Sequence, residues 1–193
     1  HIPTNPFDGQ VVTLGGRQLV EIPAEWIEAA ILESDCEHWK VILALARYGG
    51  LRRHETIIQK WDDVDFEKGL IKVRSRKSPP VRGCPIFAEL LPHLERGRDR
   101  IGGKRLQTRY TDPKSLASAL DPLLRRAGLT PWPALFQQLR ATRISELRDR
   151  GFDPKTVSQW LGNSVKVADE HYFFTTDRAF QQAVRSGAQK DTE

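Results

Sequence analysis

The order of helical and strand patterns along this chain constrains its fold more than any other feature. Apolar residues recur at helical spacing in residues 23–33 and 38–48, and a glycine pair ends the second segment. Residues 52–59 then predict a further short helix. Three short runs with strand patterning follow in residues 64–86, separated by turn residues. The first half of the chain therefore predicts helices that lead into a small sheet.

The second half of the chain is predicted to be almost entirely helical, with loops between residues 97 and 112. Asp153 before Pro154 is a typical helix start, and Gly162 is a typical helix end. The three predicted strands are 64–66, 70–74 and 81–86, and the predicted helices of this half are 87–96, 113–127, 136–150, 154–161, 165–170 and 177–183. We therefore expect an α+β fold, mainly α-helical with a small three-stranded antiparallel sheet.

The chain has 193 residues, which is enough for one domain with a real core and short for two. We expect residues 1–12 to form a linker or arm, residues 13–187 the domain, and residues 188–193 a frayed tail. The chain has no methionine at any position. This absence suggests an excised piece of a longer protein, and we expect a further domain upstream.

The positive charge of the chain is concentrated in its middle. The net charge is +5, and residues 70–126 alone have fourteen Lys or Arg against five Asp or Glu. A local basic excess of this kind is typical of contact with nucleic acid or phosphate. The longest uncharged apolar run, residues 41–46, is too short to cross a bilayer. Cys36 and Cys84 lie far apart and predict neither a zinc site nor a disulfide framework.

Four motifs that lie far apart in the sequence contain the residues with the clearest chemical potential. The first is Gly-Leu-Arg-Arg-His-Glu at 50–55, and the second is Lys77 in a strand-turn-strand with Arg82 after it. The third is Gln-Gln-Leu-Arg-Ala-Thr at 137–142. The fourth is Leu-Gly-Asn at 161–163, with Tyr172 nine residues beyond Asn163. In this order and spacing they resemble the catalytic domain of the tyrosine recombinases, the phage-integrase family. The resemblance runs from about residue 38 to residue 183.

The resemblance implies a phosphodiester cleavage that needs no metal and no cofactor. Tyr172 matches the nucleophile, which forms a covalent 3′-phosphotyrosyl link. Arg52 and Arg140 match the pair that holds the phosphate, because guanidinium groups bind two phosphate oxygens at once. Lys77 matches the general acid that protonates the leaving oxygen. Glu55 is expected to orient Arg52 or a neighbour.

Two positions depart from the family's usual pattern. Gln137 stands where histidine is most common, and Asn163 stands where histidine or tryptophan usually follows Leu-Gly. Both amides can donate hydrogen bonds to a phosphate, but neither can take up a proton. We therefore expect slower or differently tuned chemistry. Each residue also has an ordinary structural interpretation, Gln137 as a helix residue and Asn163 as a helix-end residue.

The resemblance also implies double-stranded DNA as the partner and a cytoplasmic protein of bacterial or phage type that acts at the nucleoid. It implies a tetrameric synapse, in which the last predicted helix, 177–183, docks on a neighbouring copy. The residues expected to contact DNA are Arg74, Arg76, Arg82, Lys114, Arg125, Arg126 and Arg143.

Three other functions compete with a site-specific recombinase. Because Gln137 and Asn163 both depart from the pattern, the chain could be a DNA-binding protein on a recombinase scaffold that no longer cleaves. The retained Tyr172, Arg52 and Arg140 argue against that alternative. Type IB topoisomerases share the chemistry but not the spacing from Leu-Gly to tyrosine. A basic helical module would need all four motifs to arise by chance.

Overall fold

The computed structural model describes residues 12–14, 17–19, 21–74 and 82–163, and it gives burial for most of the side chains from Glu21 onward. The described strands and helices are β1 (Val12–Leu14), β2 (Arg17–Leu19), α1 (Ala24–Glu33), α2 (Glu37–Arg47), β3 (Val64–Asp65), β4 (Leu70–Val73), β5 (Arg82–Pro85), α3 (Leu91–Arg100), α4 (Pro113–Arg126), α5 (Leu135–Asp149) and α6 (Pro154–Leu161). A single 3-10 turn, Trp61–Asp63, leads into β3. The predicted α+β fold, mainly helical with a small sheet, is confirmed.

The three-stranded sheet is antiparallel, as predicted. β4 lies between β3 and β5, and both pairs are antiparallel, with Val64 opposite Ile71 and Ile71 opposite Cys84. The side chains of Ile71, Val73 and Cys84 are buried, as expected for a sheet that packs on one face. Each predicted strand agrees with the observed one to within one residue at each described end.

Two helices follow the predicted start signals closely. The Asp112 side chain accepts a hydrogen bond from the Lys114 backbone N–H at 3.1 Å, and α4 begins at the next residue, Pro113. The Asp153 side chain accepts from the Thr156 backbone N–H at 2.9 Å, and α6 begins at Pro154. Local capping chemistry therefore fixes both helix starts.

The main core forms between α1, α2, α4 and the first half of α5, and the sheet packs against it. Its buried side chains include Ile27, Ile42, Leu45, Leu120 and Leu139. A smaller cluster, formed by Ile144, Leu147, Val157 and Leu161, holds α6 against α5. Because the main core holds α5 against α2 and the smaller cluster holds α6 against α5, the end of α6 lies beside the turn that follows α2.

The helix predicted at residues 52–59 is wrong, because this segment forms consecutive turns. The side chain of Gln59 donates to the Glu55 carbonyl at 2.9 Å. In a helix that carbonyl would accept from the backbone N–H of residue 59 instead. The Glu55 carboxylate in turn accepts from the Arg52 backbone N–H at 2.8 Å. The Gln59 side chain thus takes a carbonyl that a continuing helix would pair, whereas the Arg52 N–H would have no backbone partner in a helix that begins there.

The helix predicted at 87–96 begins later and runs further than expected, as α3. The Phe87 carbonyl accepts from the backbone N–H groups of both Leu90 and Leu91, which closes a turn before the helix. At the other end Gly97 does not end the helix. A Cβ at Gly97 would lie 2.5 Å from Val41 Cγ2, so this glycine lets α3 approach α2 closely.

The hairpin formed by β1 and β2 overlaps the segment expected to be an arm. Val12 pairs with Leu19, and Leu14 pairs with Arg17. The sequence signal was present, because a glycine pair at 15 and 16 stands between two short runs that contain strand-forming residues. The expected linker of residues 1–12 therefore overlaps a strand at its last residue, and its other residues lie outside the described part of the chain.

No helix in the described part of the chain combines the length and the apolar character that a membrane crossing requires.

Gly50 joins α2 to the turns at a close approach of two chain segments. Its φ of +60° is unfavourable for other residues, and a Cβ there would lie 2.8 Å from Leu161 Cδ2. Gly69 has the same φ of +60° but no atom within 4 Å of its Cβ position. We expect Gly50→Ala to lower the free energy of unfolding by about 1–3 kcal/mol more than Gly69→Ala, because only the first change also overpacks. Urea unfolding of both variants measures the difference, and equal losses would contradict the close approach.

Candidate active site

An open cavity of about 570 Å³ lies between the turns after α2, the start of α4 and the start of α5. Its lining combines charged side chains of both signs with an imidazole, an amide and several apolar groups: Arg52, Arg53, His54, Pro113, Asp121, Trp132, Ala134, Leu135, Phe136, Gln137 and Arg140. The first and third motifs of the sequence therefore meet at one place, although they lie far apart in the chain.

Arg52 is held at the cavity by the turns and by the end of α6. Its side chain is 39% exposed, and its Nη1 donates to Glu55 Oε1 at 3.1 Å. Its Nη2 donates to the Gly162 carbonyl. Gly162 ends α6 with a φ of +71°, and a Cβ there would lie 2.7 Å from Arg82 Cδ. Only glycine fits this point where Arg52, Arg82 and α6 converge.

Glu55 is fully buried and forms the centre of an ion-pair network beneath Arg52. Both of its carboxylate oxygens accept from Arg82, each at 2.7 Å, and Arg82 Nε also donates to the Trp160 carbonyl at 2.9 Å. Burial alone would raise the pKa of Glu55, but hydrogen bonds and charge from Arg82, with the backbone N–H of Arg52, lower the pKa to about 2. Glu55 therefore stays charged and can orient Arg52.

Arg140 is buried on α5, with only 4% of its surface exposed, and its guanidinium points to the cavity side of the helix. Nη1 donates to the Gly50 carbonyl at 2.6 Å, and Nη2 donates to Asn163 Oδ1 at 3.3 Å. The hydrogen bonds hold the guanidinium in one orientation. Arg52 and Arg140 thus line the same cavity from two different elements, as a phosphate clamp requires.

The two amide positions differ in their surroundings. Gln137 is half-buried and lines the cavity, one helical turn before Arg140. Asn163 touches Arg140 through its oxygen, and its buried Nδ2 has no acceptor among the residues that the structure describes. A buried N–H without an acceptor is unfavourable, so this amide is suited to an anionic ligand.

Lys77 and Tyr172, together with Arg76, lie outside the described residues. Their predicted roles stay predictions, as do the helices predicted at 165–170 and 177–183.

The described residues expected to contact DNA fall into two groups, arginines that are paired with carboxylates and exposed residues on α4. Arg74 is paired with Asp63, with its Nε at 2.5 Å from Oδ2, and Arg82 is paired with Glu55. Arg143 is only 1% exposed and pairs with Glu89 and Glu146, each at 3.3 Å, so the structure does not place it on a DNA-facing surface. The residues expected on α4 are exposed: Lys114, Arg125 and Arg126. Among the described residues that were expected to contact DNA, those on α4 fit such a contact best, and one of them, Arg126, also lies 3.6 Å from Glu33.

Sequence reasoning assigned no role to several residues that line the cavity, among them Arg53, His54 and Asp121. His54 stands between Arg53 and Glu55 in the first motif, and Asp121 lies on the exposed side of α4. The position of His54, two residues after Arg52 in the first motif, could have indicated that it lies near the same cavity. Asp121 offered no signal, since only the packing of α4 brings it to the cavity.

The lowered pKa of Glu55 predicts a loss of stability in acid. Between pH 4.5, its ordinary pKa, and about pH 2, an unfolded Glu55 binds a proton that the folded one does not. Its contribution is therefore complete above pH 4.5 and is lost as pH falls towards 2. We expect this contribution to be on the order of 3 kcal/mol and to be absent in Glu55→Gln.

Urea unfolding at several pH values in that window measures this effect. Glu67→Gln, on the exposed turn before β4, is the control and should keep the acid dependence of the unchanged chain. An equally steep loss of stability in Glu55→Gln would mean that other carboxylates cause it.

The chain is similar in sequence to curated tyrosine recombinases and similar in fold to solved recombinase structures. No family model matches the chain. Tyrosine recombinase XerA of Pyrococcus furiosus is 28% identical over 153 residues, which cover 74% of this chain and 52% of the relative. The chain thus spans about half the length of the curated relatives it matches.

Solved structures agree in fold. The crystal structure of XerA recombinase superposes with a TM-score of 0.71 at 21% identity, covering 89% of this chain and 66% of that chain. A lambda integrase tetramer bound to a Holliday junction gives a TM-score of 0.59 at 16% identity, covering 88% and 50%.

Proposed function

Because this chain belongs to the tyrosine recombinase family and has the fold of its catalytic domain, we propose that it cleaves and rejoins DNA strands at specific sites, as a recombinase or integrase. The observation that carries the proposal is the convergence of Arg52 and Arg140 on one cavity, with the Gln137 amide beside them. Two guanidinium groups and an amide form a site for the non-bridging oxygens of a phosphodiester.

The proposed reaction is a transfer of the phosphoryl group to Tyr172. The Tyr172 hydroxyl loses its proton to water as its oxygen bonds to phosphorus, and the bond from phosphorus to the 5′ oxygen of the DNA strand breaks. Lys77 gives a proton to the departing oxygen, and Arg52 and Arg140 stabilise the extra negative charge of the pentavalent transition state. The reverse sequence rejoins the strand. The scheme uses no metal and no cofactor.

DNA binding and assembly form the second part of the proposal. The exposed α4 residues Lys114, Arg125 and Arg126 contact the phosphate backbone, together with Arg76. The chain assembles as a tetramer on two duplexes, with segment 177–183 docked on a neighbouring copy. A protein that acts in this way works at the nucleoid, in the cytoplasm.

The test is covalent capture of DNA by the chain. A pool of nicked duplexes with randomised sequence is used, with the nick placed so that the cleaved fragment diffuses away and rejoining stops. We expect a protein–DNA adduct that survives denaturing electrophoresis, and sequencing of the captured DNA gives the site. Selective binding of some duplexes without any adduct would instead support a DNA-binding protein that does not cleave.

A further inference from the structure

Arg82 is the first residue of β5, and its side chain reaches two other parts of the fold. Its Nη1 and Nη2 donate to Glu55 Oε1 and Oε2, each at 2.7 Å, and its Nε donates to the Trp160 carbonyl at 2.9 Å. The side chain is only 14% exposed. A DNA contact was expected for this arginine, but all three of its guanidinium nitrogens donate to groups of the protein itself.

The first acceptor that orients the Arg52 side chain is held by Arg82. This acceptor is Glu55 Oε1, which lies 3.1 Å from Arg52 Nη1. Arg82 binds both oxygens of the same carboxylate, and such a two-point pair fixes the plane of the carboxylate. Because Glu55 is fully buried, Arg82 also supplies the opposite charge that lets it stay ionised.

The second acceptor of the Arg52 side chain is the Gly162 carbonyl, at the end of α6. Arg82 holds this part of the chain too, because its Nε binds the Trp160 carbonyl two residues earlier. A Cβ on Gly162 would lie 2.7, 2.9 and 3.0 Å from Cδ, Nε and Cζ of Arg82, so the Gly162 backbone lies directly against this side chain. A displacement of Arg82 would therefore shift both acceptors of Arg52.

Arg52 is the member of this group that reaches the cavity. Its side chain is 39% exposed and lines the cavity, whereas the less exposed Arg82 lies outside the lining. A phosphate in the cavity can therefore contact Arg52 while Arg82 stays bound to Glu55 and to the end of α6.

We propose that Arg82 is a positioning residue for strand cleavage. It holds the Glu55 carboxylate and the Gly162 carbonyl in the places from which they orient the Arg52 guanidinium for the scissile phosphate. The inference rests on the proposed function, and it gives Arg82 a role inside the protein in place of the DNA contact that was expected.

Arg82→Lys tests the inference, because lysine keeps a positive charge beside the buried Glu55 but lacks the planar fork that binds both carboxylate oxygens and the Trp160 carbonyl. We expect single-turnover adduct formation on the captured DNA to slow by about tenfold to a hundredfold, because a reacting group is misplaced. DNA affinity should stay within about twofold, because the charge is retained.

A second readout needs no DNA. In the unchanged chain the hydrogen bonds of Arg52 Nη1 and Nη2 hinder rotation of its guanidinium group, so NMR should resolve separate signals for these two nitrogens. In Arg82→Lys the two signals should merge, because both acceptors have lost their support.

A double-mutant cycle tests whether Arg82 acts through Arg52. In an Arg52→Lys background the oriented guanidinium is already lost, so adding Arg82→Lys should slow adduct formation by no more than about threefold. Equal slowing by Arg82→Lys in both backgrounds would mean that it acts independently of Arg52, and would overturn the inference.

Arg47→Lys is the matched control. Arg47 also binds both oxygens of a glutamate, with Nη1 at 2.9 Å from Glu146 Oε2, and Glu146 accepts from a second arginine, Arg143, at 3.3 Å. These three residues lie outside the cavity lining. Arg47→Lys should lower the melting temperature but keep the normal rate of adduct formation and the separate Arg52 signals. Equal slowing in Arg47→Lys and Arg82→Lys would assign the effect to a general loss of stability and would overturn the inference.

A direct contact of Arg82 with DNA would give different results. Arg82→Gln would then reduce the salt dependence of DNA binding by about one phosphate contact, and Arg82→Lys would cleave at the normal rate. Either result would overturn the inference, as would separate Arg52 signals that persist in Arg82→Lys. If the unchanged chain forms no adduct, the proposed function fails, while the signals of the chain without DNA still show whether Arg82 orients Arg52.

Discussion

Replacing Tyr172 with phenylalanine is expected to abolish the covalent adduct while DNA binding stays within a few-fold of the unchanged chain. The substitution removes only the hydroxyl group, so the nucleophile is lost but the ring is kept. No other group in the proposed scheme can form the bond to phosphorus. Adduct formation on the captured nicked duplex, beside a binding assay on the intact duplex, measures both quantities.

Tyr110→Phe is the matched control for this substitution. Tyr110 is half-buried, and its ring packs on Trp39 at 4.9 Å, away from the cavity lining. This variant should form the adduct at the normal rate. An adduct formed by Tyr172→Phe would show that a different residue is the nucleophile.

Replacing Arg140 with lysine is expected to slow adduct formation by about 10²–10³-fold, the usual cost of removing one preorganised donor from a transition state. Lysine keeps the positive charge, but it cannot hold the Gly50 carbonyl and Asn163 at the same time as two phosphate oxygens. Because the charge is retained, DNA binding should change far less than the rate. Single-turnover kinetics with saturating enzyme separate the two effects.

Arg148→Lys lies on the same helix, α5, and outside the cavity lining, so it controls for a lysine in this helix. It should cleave at the normal rate. Equal slowing of Arg140→Lys and Arg148→Lys would indicate a general disturbance of α5 and would argue against a specific contact of Arg140 with phosphate.

Much of the fold could be predicted because its signals are local. Asp153 and Pro154 indicate the start of α6, and Gly162 indicates its end. Alternating residues between turns indicate the strands. The turns at 53–58 could not be predicted, because the apolar pattern there is helical. The Gln59 side chain takes the Glu55 carbonyl, which a helix through residue 59 would need as the acceptor for the backbone N–H of that residue.

Part of the candidate site can be compared with the prediction. The family resemblance indicated Arg52, Gln137 and Arg140, and the structure places these three at one cavity, while Lys77 and Tyr172 lie outside the described residues. The sequence could not tell an arginine that faces solvent from one that is paired inside. Arg82 and Arg143 meet carboxylates 27 and 54 residues away in the chain, and only tertiary packing brings those groups together.

The acceptors of Arg140 have a consequence for how the domain distributes its charge. Arg47, Arg74 and Arg82 each meet a carboxylate, which cancels most of the field that they could offer to another anion. The hydrogen bonds described for Arg140 go to a carbonyl and to an amide oxygen, neither of which has a formal charge. These two acceptors fix the direction of the guanidinium and, unlike a carboxylate, place no formal negative charge beside it.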